Sequence, residues 1–256
     1  MMKPKIHIAS CSFGKDSIAT ILLALENNEP LDRVVFSEVM FDHSRNISGE
    51  LPEHIEWVYS VAIPKLEEMG CKVDVVRSKW DYVSKFNHVR KKGKYVGKAI
   101  GFPIAKRCEI NSGCKVAPIK KYYAAFEKHF DIVQYVGIAI DEPKRLERLE
   151  GTNKVSLLQK YGYTEEMAMQ KCKEYNLVSP CYSMNHRGGC FFCMQNPVAY
   201  FVKLRQKHPH LWAELKKLND HPNTINGRFK YNLSLDDVEM QMDAYEFKEK
   251  SQLKLF

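Results

Sequence analysis

The stretch KIHIASCSFGKDS, residues 5–17, joins a short apolar run to a polar loop that contains a glycine and a lysine. The apolar run predicts a buried strand, and DSIATILLALEN (16–27) carries apolar side chains at helical spacing. A strand, a glycine turn, a lysine and a helix start are typical of a phosphate-binding loop. The familiar triphosphate loop is excluded, because it needs glycine where Ala9 stands, five residues before Gly14, and a hydroxyl where Asp16 stands.

The composition of the 256 residues fits one large globular domain, or one domain with a substantial appendage. Hydrophobic residues make up 45% of the chain, and no segment approaches 18 uninterrupted apolar residues, so we expect no membrane span. The apolar run after the first five residues is too short for a signal peptide, and we expect a cytoplasmic protein. In a reducing compartment, eight cysteines favour metal or redox chemistry over structural disulfides.

The net charge of +8 gives modest support for a polyanionic partner, and its distribution says more. No acidic residue stands between Asp81 and Glu109, and aromatic residues and glycines are interleaved with the basic residues there. This segment is either a solvated surface loop or a basic loop, 85–107, that clamps the phosphates and stacks on the bases of a nucleic acid. Its basic residues are Lys85, Arg90, Lys91, Lys92, Lys94, Lys98, Lys106 and Arg107.

Strand and helix patterns alternate through the first half of the chain. This alternation predicts an α/β fold with a parallel sheet covered by helices on both faces, a three-layer arrangement. Ligands of such folds bind at the carboxyl ends of the strands, where the loop 10–17 and the segment GIAIDEPKR (137–145) both lie. The predicted strands are 5–11, 33–41, 71–78 and 131–140, and the predicted helices are 16–27, 52–69 and 115–129.

The pattern changes at about residue 151. Residues 156–177 are helical in character, 179–197 form a loop with a cysteine pair, and 198–218 are again helical. We find no repeat, low-complexity tract or obvious linker. We therefore expect residues 1–150 to form the nucleotide-binding domain and 151–256 to form a helical region packed on it.

The residue types of the polar loop suit an anion. Ser12 and Ser17 offer hydroxyls, Gly14 lets the backbone approach a phosphate, and Lys15 adds a positive charge. The helix that starts at Asp16 directs its N-terminal dipole towards the anion. The alternative is a strand-to-helix turn whose Ser or Asp only caps the helix.

Cys190 and Cys193 form a Cys-x2-Cys pair behind two glycines, which let the backbone fold around a metal. Such a pair is a strong signal for half of a metal site, and two buried thiols in a tight turn are the alternative. Cys11, Cys71 and Cys172 fall on strand or helix patterns, and we expect them to be small buried hydrophobic residues.

Four motifs, in this order, resemble those of one known group. The loop SFGKDS is similar to the pyrophosphate loop Ser-x-Gly-x-Asp-Ser of the adenine nucleotide alpha-hydrolase superfamily. Within it, the likeness is to the phosphoadenosine phosphosulfate (PAPS) reductase family, which also includes the ATP pyrophosphatase of DNA phosphorothioation. The further motifs are FSEVMFD (36–42) with ISGELPEH (47–54), GIAIDEPKR (137–145) and RGGCFFC (187–193), so the resemblance covers residues 8 to about 200.

The resemblance implies a Rossmann-like sheet that binds ATP and Mg²⁺, with the phosphates on the loop and with Lys15, Asp16 and Asp42 as catalytic residues. For each acidic residue singly, the chemistry of a helix terminus is as good an explanation as catalysis. The residues implied for the nucleotide or its metal are Ser12, Phe13, Gly14, Lys15, Asp16, Ser17, Asp42, Glu50, Gly137, Asp141, Glu142 and Arg145.

The same resemblance implies that Cys108 and Cys114 complete the metal site of Cys190 and Cys193. Four thiolates suffice for a [4Fe-4S] cluster, which the family favours, or for a Cys₄ zinc site, which stays the alternative. The spacing of Cys108 and Cys114 differs from the adjacent cysteine pair of the cluster-bearing reductases. Cys181 therefore stays open as a substitute for either of them.

The reductases of the family resemble one another in a C-terminal nucleophilic cysteine, and no cysteine follows Cys193 here. We therefore expect an ATP pyrophosphatase that adenylates its substrate, nucleic acid being the expected class, for sulfur transfer from a sulfur-donor protein. Two alternatives stay open. One is a sulfonucleotide reductase that uses a thiol of a partner or of Cys181, and the other is a non-catalytic nucleic-acid-binding iron–sulfur module.

Overall fold

The structure, a computed structural model, describes residues 3–103, 108–184 and 189–253. Its contacts divide the chain into two units that each combine three segments. Residues 151–188 group with the parallel sheet, whereas 39–50 and 79–114 group with the last part of the chain. The sheet unit contains Met1–Glu38, Leu51–Ser78 and Lys115–Gly188, and the cysteine unit contains Val39–Glu50, Lys79–Cys114 and Gly189–Phe256.

The helices and strands are short, apart from the first and last helices. The strands are β1 Lys5–Cys11, β2 Arg33–Glu38, β3 Met40–Asp42, β4 Ile47–Ser48, β5 Val73–Arg77, β6 Ala99–Gly101, β7 Asp131–Tyr135, β8 Lys154–Val155, β9 Thr224–Asn226, β10 Arg228–Lys230 and β11 Leu233–Ser234. The helices are α1 Lys15–Glu26, α2 Pro52–Trp57, α3 Ile63–Glu68, α4 Tyr82–Phe86, α5 Ala117–Ala124, α6 Pro143–Leu146, α7 Leu157–Lys160, α8 Glu165–Glu174, α9 Val198–Lys207, α10 Pro209–Asn219 and α11 Leu235–Leu253.

The sheet unit is built on five parallel strands in the order β5-β2-β1-β7-β8. Neighbouring side chains of a strand point to opposite faces, and both faces of β1 are buried. Ala9 and Cys11 join a core with residues of α1, whereas Ile6 and Ile8 join a core with Tyr123 of α5. The predicted parallel α/β sheet with helices on both faces is therefore confirmed.

Several element boundaries differ from the prediction. The strand predicted to reach residue 41 ends at Glu38, because the chain leaves the sheet and β3 pairs with β4 instead. The helix predicted over 52–69 contains a π-helical turn at Val58–Ala62. The helical pattern over 156–177 forms two helices, with Gly162 between them at φ = 70°, a conformation that glycine adopts readily.

The cysteine unit has short strands and an aromatic core. Tyr82 lies beside Phe41, with 5.4 Å between the ring centroids, and beside Phe192, with 4.1 Å. A second aromatic contact joins Phe102 and Phe229, whose rings pack edge-on with 5.4 Å between their centroids. Aromatic side chains bury a large area each, so a few of them make a core where regular strands are few.

The described residues contain no helix with both the length and the apolar character that crossing a bilayer requires.

Candidate nucleotide and metal sites

The polar loop lies at the carboxyl end of β1 and is anchored by Phe13. Phe13 has φ = 55°, which is uncommon for a large side chain, yet its ring is fully buried and packs edge-on against Phe36 at 5.1 Å. Ser17 closes the turn: its Oγ donates to the Gly14 carbonyl at 2.9 Å and accepts from the Ser12 N–H at 3.2 Å. The turn leads directly into the N-terminus of α1, the end of a helix that attracts anions.

The Lys15 ammonium is held by two carboxylates. Its Nζ donates to Asp16 at 2.9 and 3.1 Å and to Glu165 at 2.9 Å. Burial alone would lower the pKa of Lys15, but the bonds to Glu165 and Asp16 outweigh it and raise that pKa above its ordinary value. Burial raises the pKa of Asp16, although the bond from Lys15 opposes this. Lys15 is therefore positively charged and already paired with two carboxylates of the protein.

The backbone N–H of Lys15 also has a partner inside the protein, the Tyr182 hydroxyl. The Lys15 N–H donates to the Tyr182 hydroxyl at 2.8 Å, and a Cβ on Gly14 would lie 3.4 Å from the same oxygen. Burial raises the pKa of Tyr182 to about 12, so the hydroxyl is neutral. A hydroxyl oxygen thus takes the place that a phosphate oxygen would take at this helix start.

A cavity of about 360 Å³ opens beside the loop, at the carboxyl ends of β1 and β7. Serine hydroxyls from β1, the loop and β2 line it, and so do three basic side chains from distant parts of the sheet unit. A pocket with hydroxyl donors and cations suits a phosphorylated ligand. The polar and charged lining residues are Ser10, Ser12, Asp16, Ser17, Ser37, Lys115, Arg145 and Lys154.

Close packing against α1 leaves no room for a side chain at Gly137. A Cβ there would lie 2.6 Å from the backbone carbon of Asp16 and 2.7 Å from the Ser17 nitrogen, both far too close. The absence of a side chain lets the segment after β7 approach the start of α1, which narrows the cavity on that side. Gly137 thus lies against the predicted nucleotide loop.

The acidic residues after Gly137 bond within the sheet unit. Both carboxylate oxygens of Asp141 accept from the Glu165 N–H at 3.2 Å, at the start of α8. Glu142 accepts from the Ala139 N–H at 3.4 Å and from the Arg145 guanidinium. The structure thus brings Asp141 to the backbone of Glu165, whose carboxylate holds Lys15, and Arg145 to the cavity wall.

Asp42 and Glu50 belong to the cysteine unit. Asp42 accepts from the N–H and hydroxyl of Ser44 at 2.9 and 2.7 Å, and from Arg45 Nε at 2.7 Å. Burial would raise the pKa of Asp42, but these bonds outweigh it and lower that pKa. Glu50 is buried, and its backbone forms a bridge with Cys190. Their predicted roles at the nucleotide remain predictions.

The Cys-x2-Cys pair forms a tight turn. The Cys193 N–H donates to the Cys190 carbonyl at 3.0 Å, and the Phe191 N–H donates to the Gly49 carbonyl at 2.8 Å. Gly189 has φ = 134°, which requires the conformational freedom of glycine. Both cysteines are partly exposed. His186, Arg187 and Gly188 lie outside the described residues.

Cys108 is exposed and Cys114 is fully buried, and both lie in the same unit as the pair. Over residues 3–103, 108–184 and 189–253, no three His, Cys, Asp or Glu side chains are arranged to hold a metal ion. Burial first, and then Cys108, Cys190 and Cys193, raise the pKa of the buried Tyr82 hydroxyl well above its ordinary value. Soft sulfur donors gathered in one region fit an iron–sulfur cluster or zinc.

The other cysteines lie in the sheet unit and are buried. Burial raises the pKa of Cys11 to about 11 and that of Cys172 to about 12, as expected for thiols that only fill space. Cys181 differs, because Ser179 Oγ donates to its sulfur at 3.0 Å and also bonds to His54 Nδ1 at 2.7 Å. The predicted alternative role of Cys181 as a ligand remains a prediction.

The basic loop begins as an exposed hairpin. The Arg90 N–H donates to the Lys98 carbonyl at 3.0 Å, and the Gly97 N–H donates to the Arg90 carbonyl at 3.0 Å. Gly93 and Gly97 adopt φ = 84° and 82° at its tip, which explains the glycines of this segment. All side chains from 87 to 98 are exposed. Lys106 and Arg107 lie outside the described residues.

Sequence reasoning missed Glu165, Tyr182, Lys115 and Lys154. Glu165 and Tyr182 bond to Lys15 across 150 and 167 residues of chain. Lys115 and Lys154 reach the cavity from a helical turn and from β8. A lysine or a glutamate at a helix start is common on any surface, so no local signal marks these residues.

No protein-family model matches the chain, and no curated protein matches it. Among solved structures, the chain is similar to the U34-tRNA thiolase NcsA from Methanococcus maripaludis with its [4Fe-4S] cluster. The TM-score is 0.42 and the sequence identity is 16%, over 89% of this chain and 75% of that chain. The function is therefore inferred below from the chain's own residues.

Proposed function

We propose that the chain is an ATP-using enzyme that cleaves ATP between the α- and β-phosphates. It transfers adenylate to an oxygen of its substrate, so that sulfur can replace that oxygen. The observation that carries this proposal is the cavity of about 360 Å³ at the start of α1, which the hydroxyls of Ser12 and Ser17 line together with three basic side chains. The resemblance of SFGKDS and GIAIDEPKR to the motifs of pyrophosphate-loop enzymes supports the choice of an adenine nucleotide.

For this adenylate transfer, the protein mainly has to position the reactants and stabilise the developing negative charge. The acceptor oxygen forms a bond to the α-phosphorus, and the bond from that phosphorus to the bridging oxygen breaks, so pyrophosphate leaves with the electron pair. Lys15 and the N-terminus of α1 stabilise the charge that grows on pyrophosphate. To reach Lys15, the phosphates replace the Tyr182 hydroxyl at its N–H and the Glu165 carboxylate at its Nζ.

Two inorganic groups belong to this proposal. Mg²⁺ would neutralise phosphate charge when bound, and the carboxylate of Asp16, which accepts from Lys15, is a hard oxygen donor that suits it. Cys108, Cys190 and Cys193, with Cys114 as the fourth thiol, would hold a [4Fe-4S] cluster, with zinc as the alternative. An iron–sulfur cluster would supply electron or sulfur chemistry, whereas a closed Cys₄ zinc site would supply structure.

The basic hairpin supports a nucleic acid as the substrate class. Arg90, Lys91, Lys92 and Lys94 are exposed on one short turn, and the Lys94 ammonium lies 5.7 Å from the centroid of the Tyr95 ring. Exposed cations contact phosphates, and an exposed aromatic ring offers a surface on which a base can stack.

The decisive experiment measures the products formed from ATP by anaerobically purified protein, with RNA and DNA as candidate acceptors. Equal amounts of AMP and pyrophosphate support the proposal, and ADP with inorganic phosphate would reject it. Sulfite released from PAPS would identify a sulfonucleotide reductase instead. Salt-dependent binding of nucleic acid without any turnover would identify a binding module.

The substrate class is tested separately by replacing Arg90, Lys91, Lys92 and Lys94 with Gln. Loss of four phosphate contacts flattens the slope of log affinity against log salt, by about 0.9 per contact on a duplex and about 0.7 on a single strand. A control variant that replaces four exposed lysines of the sheet unit makes a similar charge change. Equal slopes in both variants would remove the hairpin from nucleic-acid binding. The control lysines are Lys120, Lys121, Lys128 and Lys144.

A further inference from the structure

The Tyr82 hydroxyl is a buried polar group for which the described residues supply no hydrogen-bond partner. Tyr82 is only 1% exposed. An unsatisfied buried hydroxyl destabilises the folded state, and phenylalanine would fill the same space without that penalty. A tyrosine at this position is therefore explained by a partner other than the residues that the structure describes.

The ring cannot turn its hydroxyl towards water. It stacks on Phe41 with 18° between the ring planes and packs against Phe192 with 4.1 Å between the ring centroids. Its backbone is the first residue of α4, which the Asp81 side chain caps by accepting from the Ser84 N–H at 2.6 Å. Asp81 also accepts from the His43 N–H at 2.8 Å, which ties α4 to the segment after β3. The direction of the hydroxyl is thus fixed.

The Tyr82 ring lies against the turn of the cysteine pair, because Phe192, which packs on it at 4.1 Å, stands between Cys190 and Cys193 in the chain. Burial first, and then the charges of Cys108, Cys190 and Cys193, raise the pKa of Tyr82 well above its ordinary value. The hydroxyl consequently keeps its proton and can only be a donor to an anionic sulfur. A neutral thiol accepts hydrogen bonds weakly, whereas a metal-bound thiolate is a much better acceptor.

A partly buried cation lies in the same unit. The Lys230 ammonium donates to the Asn196 carbonyl at 2.6 Å. Asn196 in turn donates its N–H to the Cys193 carbonyl at 3.0 Å, so Lys230 is fixed to the turn of the cysteine pair. A fixed cation near sulfur favours the thiolate, which is the form that binds metal.

We propose that Tyr82 is a positioning residue of the metal centre, whose hydroxyl donates to the thiolate sulfur of Cys108, Cys190 or Cys193 when these hold the metal. This inference rests on the metal centre of the proposed function. A cysteine binds metal as the thiolate, and that sulfur would be the acceptor that the described residues do not give the Tyr82 hydroxyl. Tyr82 then orients the ligand sulfur and reduces its negative charge.

The test is Tyr82→Phe, which removes the hydroxyl and keeps the ring. Metal-free Tyr82→Phe should unfold at the same temperature as metal-free wild type or a higher one. Its affinity for Zn²⁺, measured by competition with a chromophoric chelator, should fall by about 10- to 100-fold. If the anaerobic protein contains iron and sulfide, the midpoint potential should shift to lower values, because hydrogen bonds to sulfur favour the reduced cluster.

Tyr123→Phe is the matched control. Tyr123 is also buried, but its hydroxyl bonds to Ser10 Oγ at 2.6 Å in the sheet unit. This variant should lower the unfolding temperature of the metal-free protein and leave the Zn²⁺ affinity and the midpoint potential unchanged. The two tyrosines are therefore expected to respond with opposite signs.

Two outcomes would overturn the role of Tyr82 alone. One is a Zn²⁺ affinity and potential like those of wild type in a Tyr82→Phe protein that binds metal. The other is a metal-free Tyr82→Phe that unfolds at a lower temperature than wild type, which would show that the hydroxyl already has a partner, such as a buried water. A wild-type protein that takes up neither Zn²⁺ nor iron would reject the metal centre as well as this role, with ATP cleavage tested independently.

Discussion

The sheet unit and the cysteine unit form their hydrophobic cores from different kinds of side chain. In the sheet unit, aliphatic side chains alternate along parallel strands and pack against regular helices. In the cysteine unit, strands of two or three residues are held around rings such as Phe41, Phe102 and Phe229. The first core follows from local periodicity, whereas the second depends on rings that segments far apart in the chain bring together.

The two candidate sites differ in whether their polar groups already have hydrogen-bond partners within the protein. In the sheet unit, the groups that would bind phosphate are already satisfied: Tyr182 occupies the Lys15 N–H, and Glu165 occupies its ammonium. In the cysteine unit, the Tyr82 hydroxyl has no partner in the described part of the chain. A nucleotide must therefore displace internal partners, whereas a metal would provide a missing one. The predictions below test this contrast.

The largest effect is expected from the thiols. Cys108→Ser, Cys190→Ser and Cys193→Ser should each lose most of the metal, because a serine hydroxyl is a poor ligand for a soft metal. Cys114→Ser is predicted to do the same. Iron, zinc and acid-labile sulfide, measured on anaerobically purified protein, give the result.

Cys181→Ser is the control for the thiol series, since Cys181 is buried in the sheet unit and bonded to Ser179. It should keep the metal. Loss of the metal in Cys181→Ser together with its retention in Cys114→Ser would transfer the fourth ligand position to Cys181. Zinc without sulfide would correct the metal and leave the thiol assignment intact.

Lys15→Ala should lower pyrophosphate release from ATP by at least about 100-fold, the usual effect of removing one transition-state donor. Stability should fall by about 1–3 kcal/mol, because the loss of Lys15 leaves the largely buried Asp16 carboxylate without its partner, whereas the half-exposed Glu165 adds little. Rates of AMP and pyrophosphate formation and a thermal unfolding curve check both parts. Lys120→Ala, an exposed lysine of α5, is the control, and comparable rates in the two variants would exclude Lys15 from the mechanism.

The sequence predicted the sheet unit well and the cysteine unit poorly. An apolar run followed by SFGKDS is enough to place β1, the loop and the start of α1, because all three depend on neighbours in the chain. The turn of the chain out of the sheet after Glu38 had no local signal, since the residues of β3 are as apolar as those of β2. The cysteine pair was visible from its spacing, but Tyr82 was not, because its surroundings come from segments distant in the chain.

Gly137→Ala tests whether the close approach of Gly137 to α1 contributes to stability and to nucleotide binding in the candidate cavity. The added Cβ would lie 2.6 Å from the Asp16 backbone, and relief of this overlap should cost about 1–3 kcal/mol of stability and weaken ATP binding. Gly227→Ala is the matched control in the cysteine unit, because a Cβ there meets nothing within 4 Å. Chemical denaturation and ATP titration measure both effects. Equal stability of the two variants would show that the start of α1 adjusts freely.

The smallest effect is expected from Glu165→Gln, and its sign is the informative part. If Glu165 competes with the nucleotide for the Lys15 ammonium, its neutralisation should tighten ATP binding. The gain should be at most about fivefold, since a half-exposed ion pair is worth only about 0.2–1 kcal/mol. The gain should also shrink as the salt concentration rises, because ions screen exposed charges.

Glu166→Gln makes the same charge change at the next residue of α8, and it separates a specific pair from a general effect of net charge. Equal tightening in both variants would reduce Glu165 to one surface charge among others. Weaker ATP binding in Glu165→Gln alone would mean that Glu165 holds Lys15 in its binding position rather than competing for it. In that case the internal partners of the loop would hold Lys15 ready for the nucleotide. The two sites would then differ only in the ligand that they bind, a phosphate at Lys15 and a metal near Tyr82.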